Sequence, residues 1–160
     1  MKAKIVVVKY VVLYFTIFVM PLNAIAQDIP FSRSDLQGIY TEYLTQEGYR
    51  PEIDNDGDVV FKKEGKNYFI SVDENDPEFF RIVLPNFWSI ENTEERSRVL
   101  AAADESNRKS KVSKVFTVRD DTWASIEIFI AHPKAFEAVF PRAMSALENG
   151  VLQFVQKMRE

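Results

Sequence analysis

The sequence predicts an α+β domain, an antiparallel sheet with packed helices, in the order α-β-β-β-α-β-β-α. Three observations lead there. Leu36, Ile39, Tyr40, Tyr43 and Leu44 recur at i, i+3, i+4, i+7 and i+8, an apolar stripe on one side of a helix. Asn55-Asp56-Gly57 and Glu64-Gly65-Lys66 are turn sequences between short apolar runs, and Asp-Gly suits the positive φ angles of hairpins. Ile126, Ile128 and Ile130 alternate with Ser125, Glu127 and Phe129, the period of a strand with two distinct faces.

Taken in order, Ser34 caps the first helix and Gly48 ends it in the left-handed conformation that glycine favours. Arg50 to Ile53, Val59 to Lys63 and Asn67 to Val72 read as three strands of a meander. Phe80 to Leu84, bracketed by Pro77 and Pro85, is a fourth extended run or a continuation of that meander across the acidic segment Asp73 to Glu78. Asn92 or Thr93 caps the next helix, with Glu94 and Glu95 in its first turn; Val99, Leu100 and Ala103 form its buried side. Val112 to Val118 and Trp123 to Ile130 form a hairpin about Arg119-Asp120-Asp121. Val112, Lys114, Phe116 and Val118 share one face of its first strand. A closing helix runs from about Pro133, with Pro141 and Asn149-Gly150 as places for a kink or a split. Helices and an antiparallel sheet in this order make one layered domain.

Ahead of this domain, residues 1–26 have the three parts of a cleavable secretory signal. Lys2, Lys4 and Lys9 open the chain, an apolar run extends from Tyr10 to Met20, and Ala24-Ile25-Ala26 offers small residues for cleavage after Ala26. The apolar run is about half of the roughly 20 residues a membrane span requires, so no stable membrane anchor is expected after cleavage. Residues 27–160 then form a single domain, expected in the periplasm or secreted. Loss of three lysines takes the formal charge from -4 to -7. An acidic surface lacks the positive footprint that nucleic acid or an anionic membrane needs. With no cysteine in the chain, packing alone holds the fold.

The sequence offers little to catalysis or to metals. Asp54-Asn55-Asp56-Gly57-Asp58 has alternate carboxylates. An EF-hand places glycine at its sixth position and glutamate at its twelfth, where this chain has Val59 and Gly65, so a polar turn is the better reading. The second acidic cluster, Asp73 to Glu78, reads as a solvated loop. His132 is the only histidine, and neither a G-x-S-x-G elbow nor a phosphate-binding glycine loop is present. No catalytic, metal or cofactor site is expected, and the chain is read as a non-enzyme. The aromatic residues are more informative. Phe79 and Phe80 are neighbours in one strand and point to opposite faces, as do Phe129 and its isoleucine neighbours, so both faces of the sheet need cover. Phe79, Phe87, Trp88 and Phe129 are therefore the candidate partner-binding residues.

Several stretches together resemble the YbjN-like family: Tyr43-Leu44-Thr45-Gln46-Glu47-Gly48-Tyr49, then Ile53-Asp54-x-Asp56-Gly57-Asp58-Val59-Val60-Phe61, then Gly65-Lys66-Asn67-Tyr68-Phe69-Ile70, with Asp73, Asp76 and Leu84-Pro85 beyond. The resemblance spans about Ser34 to Phe140. It implies a fold like that of type III secretion chaperones, which are usually dimers that bind an extended segment of a client protein. Those chaperones are cytosolic, whereas this chain begins with an export signal. The expectation is a non-enzymatic, exported protein-binding domain, chaperone-like or regulatory, forming a homodimer with a possible protein client. The alternative is a binder of a small apolar ligand or lipid between the sheet and the C-terminal helix.

Overall fold

A computed structural model describes residues 31–160; the secretion-signal reading lies outside the described residues. The elements run α1 (Arg33–Gln46), β1 (Glu52–Ile53), β2 (Val59–Lys63), β3 (Lys66–Ile70), β4 (Phe79–Ser89), α2 (Thr93–Lys109), β5 (Ser113–Val118), β6 (Asp121–Phe129), a 3-10 turn at Pro133–Ala135, and α3 (Phe136–Met158). The six strands form one antiparallel open sheet in the order β1-β2-β3-β4-β6-β5. The α+β class and the antiparallel sheet are as the sequence predicts. The strand count differs: four strands precede α2, not three. β4 is the longest of them at 11 residues and runs through Pro85 instead of stopping there. The β4–β6 register shifts between Leu84 and Trp88, so Pro85 sits in an irregularity where its missing N–H breaks no regular ladder bond.

Local signals decide the helix ends. α1 is capped by Ser32, not Ser34. The Ser32 side chain accepts from the Asp35 N–H while the Asp35 carboxylate accepts from the Ser32 N–H, a reciprocal capping box. Gly48 takes φ +87° just past the helix, as the sequence predicts. Asn92 caps α2, accepting from the Glu95 N–H at 2.9 Å. α2 buries Val99, Ala102, Ala103 and Ser106, a stripe of helical period that leaves Leu100 52% exposed, contrary to expectation. α3 continues unbroken through Pro141 and Gly150, because Phe140, Ala143, Met144, Leu147 and Phe154 all bury on one side of it.

All the described helices pack on one face of the sheet. Inward residues of the strands, including Val59, Phe61, Ile70, Phe80, Ile82, Leu84, Val115, Ala124 and Ile126, merge with the apolar sides of α1, α2 and α3 into one core. Aromatic edges organise it: Tyr40 meets Phe136 at 4.9 Å between ring centres, and Phe136 meets Phe80 at 5.4 Å. Polar bonds finish the joints. The Ser106 hydroxyl donates to the Gly150 carbonyl at 2.8 Å where α2 crosses α3, and Arg98 donates to the Met158 carbonyl at 2.7 Å at the end of α3. At the β5 edge, the Asn107 carboxamide accepts from the Val115 N–H at 2.7 Å and donates to its carbonyl at 3.0 Å. It takes the place a further strand would occupy.

The β1–β2 turn shows why its carboxylates are there. Asp54 Oδ1 accepts from the Asp56 and Asp58 N–H groups at 3.0 Å each, and Gly57 takes φ +86°. α1 is fastened to the turn by Arg33 and Gln37, which donate to the carbonyls of Asp56 and Gly57. Asp58 Oδ1 in turn accepts from the Val72 N–H at 2.9 Å. Burial pushes the Asp58 carboxyl above its ordinary range, with the Asp54 and Asp56 charges adding to the shift; the Val72 bond and Arg33 oppose it. A raised folded-state pKa means that ionised Asp58 costs stability. That cost is absent below the unfolded pKa and complete once the pH exceeds the folded one. Asp58→Asn keeps the acceptor for Val72 and removes the charge. It should raise the unfolding free energy, read from the urea midpoint, by no more than about 0.5 kcal/mol at pH 7 for a group this exposed, and leave it unchanged at pH 3.

Candidate functional site

The face of the sheet opposite the helices has no cover among the described residues. Alternation along each strand fixes which side chains lie there. With Phe80, Ile82 and Leu84 of β4 turned to the core, Phe79, Arg81 and Val83 face outward. Their β6 partners in register are Phe129, Glu127 and Ser125. The row through Val83 and Ser125 continues to Phe69 of β3 on one side and Lys114 of β5 on the other. Phe116 and Trp123 pair one row further along.

This surface has three zones. At one end Phe79 and Phe129 stand as a cross-strand aromatic pair, ring centres 5.5 Å apart, with Phe129 80% exposed. At the other end Trp123 lies 6.1 Å from Phe69 and 6.3 Å from Phe116, and its indole N–H donates to Asn86 Oδ1 at 2.7 Å. Between them sits a charged strip. Arg81 Nε is 3.3 Å from Glu127 Oε1, and Lys114 pairs with the other oxygen of that carboxylate. Burial works to raise the Glu127 pKa. Hydrogen bonds from Lys114 and Ser125, with the charges of Lys114 and Arg81, overcome it and hold the carboxyl below its usual range. Arg81 Nε is itself buried and lacks a hydrogen bond of good alignment. Beneath the strip Val83 and Ser125 are fully buried, though they belong to the outward side. The long charged side chains cover them.

The four residues chosen from the sequence do not share a surface. Phe79 and Phe129 meet on the open face. Phe87 and Trp88 turn to the helix side, where their rings meet Phe154 at 5.1 and 5.8 Å, and the Trp88 indole donates to Glu95 at 3.1 Å. Sequence reasoning missed Phe69, Arg81, Phe116, Trp123 and Glu127. For Trp123 and Glu127 the signal was the odd-numbered alternation Trp123, Ser125, Glu127, Phe129, of which only Phe129 was selected; Phe69, Arg81 and Phe116 join them through strand pairing.

Other features offer less chemistry. Among the described residues, no three His, Asp or Glu side chains converge as a metal site, and no helix is long and apolar enough to cross a membrane. Between β6 and α3 lies a hollow of about 200 Å³ lined by Val112, Ile126, Ile128, Val139, Arg142, Ala143 and Ala146. The rest of the space between sheet and α3 is filled by Phe136, Phe140, Leu147 and Phe154.

The chain matches no protein-family model, no curated protein and no solved structure.

Proposed function

We propose that this chain is a non-enzymatic, exported protein-interaction domain whose contact surface is the open face of the sheet. The observation that carries the reading is the Phe79–Phe129 pair standing on a sheet face that no helix among the described residues covers. An aromatic pair on a half-covered sheet gains about 25 cal/mol for each Å² of apolar surface removed from water. Such a patch is characteristic of contact with another polypeptide. The basic, apolar and small-residue parts of residues 1–26 support export to the periplasm or beyond. Membership of the YbjN-like group, with a type III secretion chaperone-like fold, is part of the proposal. With β1 only two residues long, three substantial strands before α2 and two after it support that kinship.

A photoreactive phenylalanine analogue in place of Phe129 tests the reading in producing cells. The expected product is a polypeptide adduct formed at position 129 and not at exposed Leu152 on α3. Equal labelling at both positions, or none, counts against the open face.

A second reading has one observation behind it, the apolar hollow between β6 and α3. At about 200 Å³ it is below the ~300 Å³ at which small-molecule pockets usually begin, so it fits the end of an alkyl chain and not a whole lipid. Mass spectrometry of the native protein with and without organic extraction would reveal such a passenger.

A further inference from the structure

We infer that the hollow beside Trp123, at the β5–β6 turn, is a binding site for a neutral sugar ring. It lies at the far end of the open face from the Phe79–Phe129 pair and stands on separate observations. About 380 Å³ in volume, it is lined by Asn86, Val118, Arg119, Asp121 and Trp123. That size falls within the roughly 300–1,000 Å³ of small-molecule sites.

Its polar groups are placed there at a cost to the backbone. Among the described residues three other than glycine have positive φ, and two of them line this hollow: Asn86 at +50° and Arg119 at +55°. Asn86 lies in the stretch of β4 between Leu84 and Trp88 where the ladder to β6 is irregular. Arg119 is the first of two turn residues between the paired Val118 and Asp121, a place that favours glycine in a tight hairpin. A long cation there gains nothing within the fold. No carboxylate of the described residues comes within ion-pair distance of its guanidinium, and only its carbonyl is engaged, by Arg96. A strained position given to a side chain without a partner points to a ligand.

The atoms left over define that ligand. An indole N–H only donates, so Asn86 Oδ1 is fixed as its acceptor at 2.7 Å and the amide NH2 remains available. Asp121 Oδ1 accepts from the Ser89 hydroxyl at 3.3 Å, and Oδ2 has no partner among the described residues. The hollow therefore presents an amide, a carboxylate and a guanidinium, all planar, around the partly exposed Trp123 and Val118. One positive and one negative charge offset each other, which suits an uncharged ligand. A pyranose has the complementary form. The C–H groups of one face lie against an indole, and adjacent hydroxyls at its edge both donate and accept, matching planar groups that bond through two atoms.

Titration of the isotope-labelled protein with maltotriose, cellotriose and chitotriose tests the site by NMR. The two tryptophans lie on opposite sides of the sheet, so Trp88 is an internal control. The Trp123 indole N–H signal should move with at least one of the three sugars, with a dissociation constant on the order of 1 mM, while the Trp88 signal stays. Asn86→Asp keeps the acceptor for the indole and loses the amide donor, and should weaken binding about tenfold. Arg119→Gly should weaken it by a similar factor and yet melt at a higher temperature than the wild type, because glycine relieves the positive φ. A purely structural role for Arg119 would not pair lost binding with gained stability. The inference is overturned if the Trp123 signal moves with none of the sugars up to about 20 mM, or if Trp88 shifts equally. Arg119→Gly that binds like the wild type, or a response to adenine and to no sugar, also overturns it.

Discussion

Phe136→Ala should lower the unfolding free energy by about 3–5 kcal/mol, read as a shift of the urea midpoint at unchanged slope. Phe136 is fully buried at the first turn of α3, and its ring meets Tyr40, Tyr43, Phe80 and Phe140. These neighbours come from α1, β4 and α3, so truncation opens a cavity at the point where three elements join. None of them can collapse into the gap without disturbing its remaining ring contacts, Tyr40 with Phe80 and Tyr43 with Phe140. For a domain of this size the loss is a large share of the roughly 5–15 kcal/mol that separates folded from unfolded chain. Phe136→Leu, which keeps most of the volume, should recover more than half of it. Equal effects for Ala and Leu would mean that the site relaxes freely, contrary to the packing described.

The second large effect is expected at Gly150. A Cβ added there would lie 2.9 Å from Ser113 Cβ and closer still to its hydroxyl oxygen, both fixed on the buried start of β5. Backbone must move to make room, at a cost of about 1–3 kcal/mol for Gly150→Ala by thermal melting. The shift also disturbs the bond from Ser106 to the Gly150 carbonyl. This glycine is needed for close approach and not for an unusual φ, so helix propensity works in the opposite direction. In an open helix, Gly→Ala would stabilise by up to about 1 kcal/mol. Ser113→Ala in the Gly150→Ala background should restore part of the loss, because the hydroxyl leaves while the 2.9 Å Cβ contact stays. A gain in melting temperature for Gly150→Ala alone would show that α2, α3 and β5 are less tightly joined than this.

Much of the layering was legible in the sequence because it depends on short-range rules. The Asp56-Gly57 and Glu64-Gly65 turns, Gly48 past α1, and the isoleucine alternation of β6 each act within a few residues. The departures arise where tertiary packing chooses among local options. Ser32 outcompetes Ser34 because Asp35 stands at the right distance for a reciprocal cap. Leu100 is apolar yet exposed because Val99, Ala102, Ala103 and Ser106 set the buried stripe of α2. The candidate site was half legible for a similar reason. Period-two alternation separates Phe79 from Phe80, but the register shift after Leu84 cannot be seen in it, and that shift carries Phe87 and Trp88 to Phe154. Nor does the composition of β4 reveal that its neighbour is β6, with Glu127 opposite Arg81.

That adjacency has a kinetic side. β4 and β6 lie next to each other in space, but α2 and β5 intervene in the chain, so the seam cannot form as a hairpin. Its nearest pair, Ser89 with Asp121, is already 32 residues apart, and every later pair encloses a longer loop. Once the first contact forms, each added pair lengthens the closed loop only slightly, at a few tenths of a kcal/mol in total. The seam should therefore close from the Trp88 end towards the phenylalanine end, after α2 and the β5–β6 hairpin are in place. The pair at positions 79 and 129 would be the last of the seam to come together, and the first to part when the molecule opens.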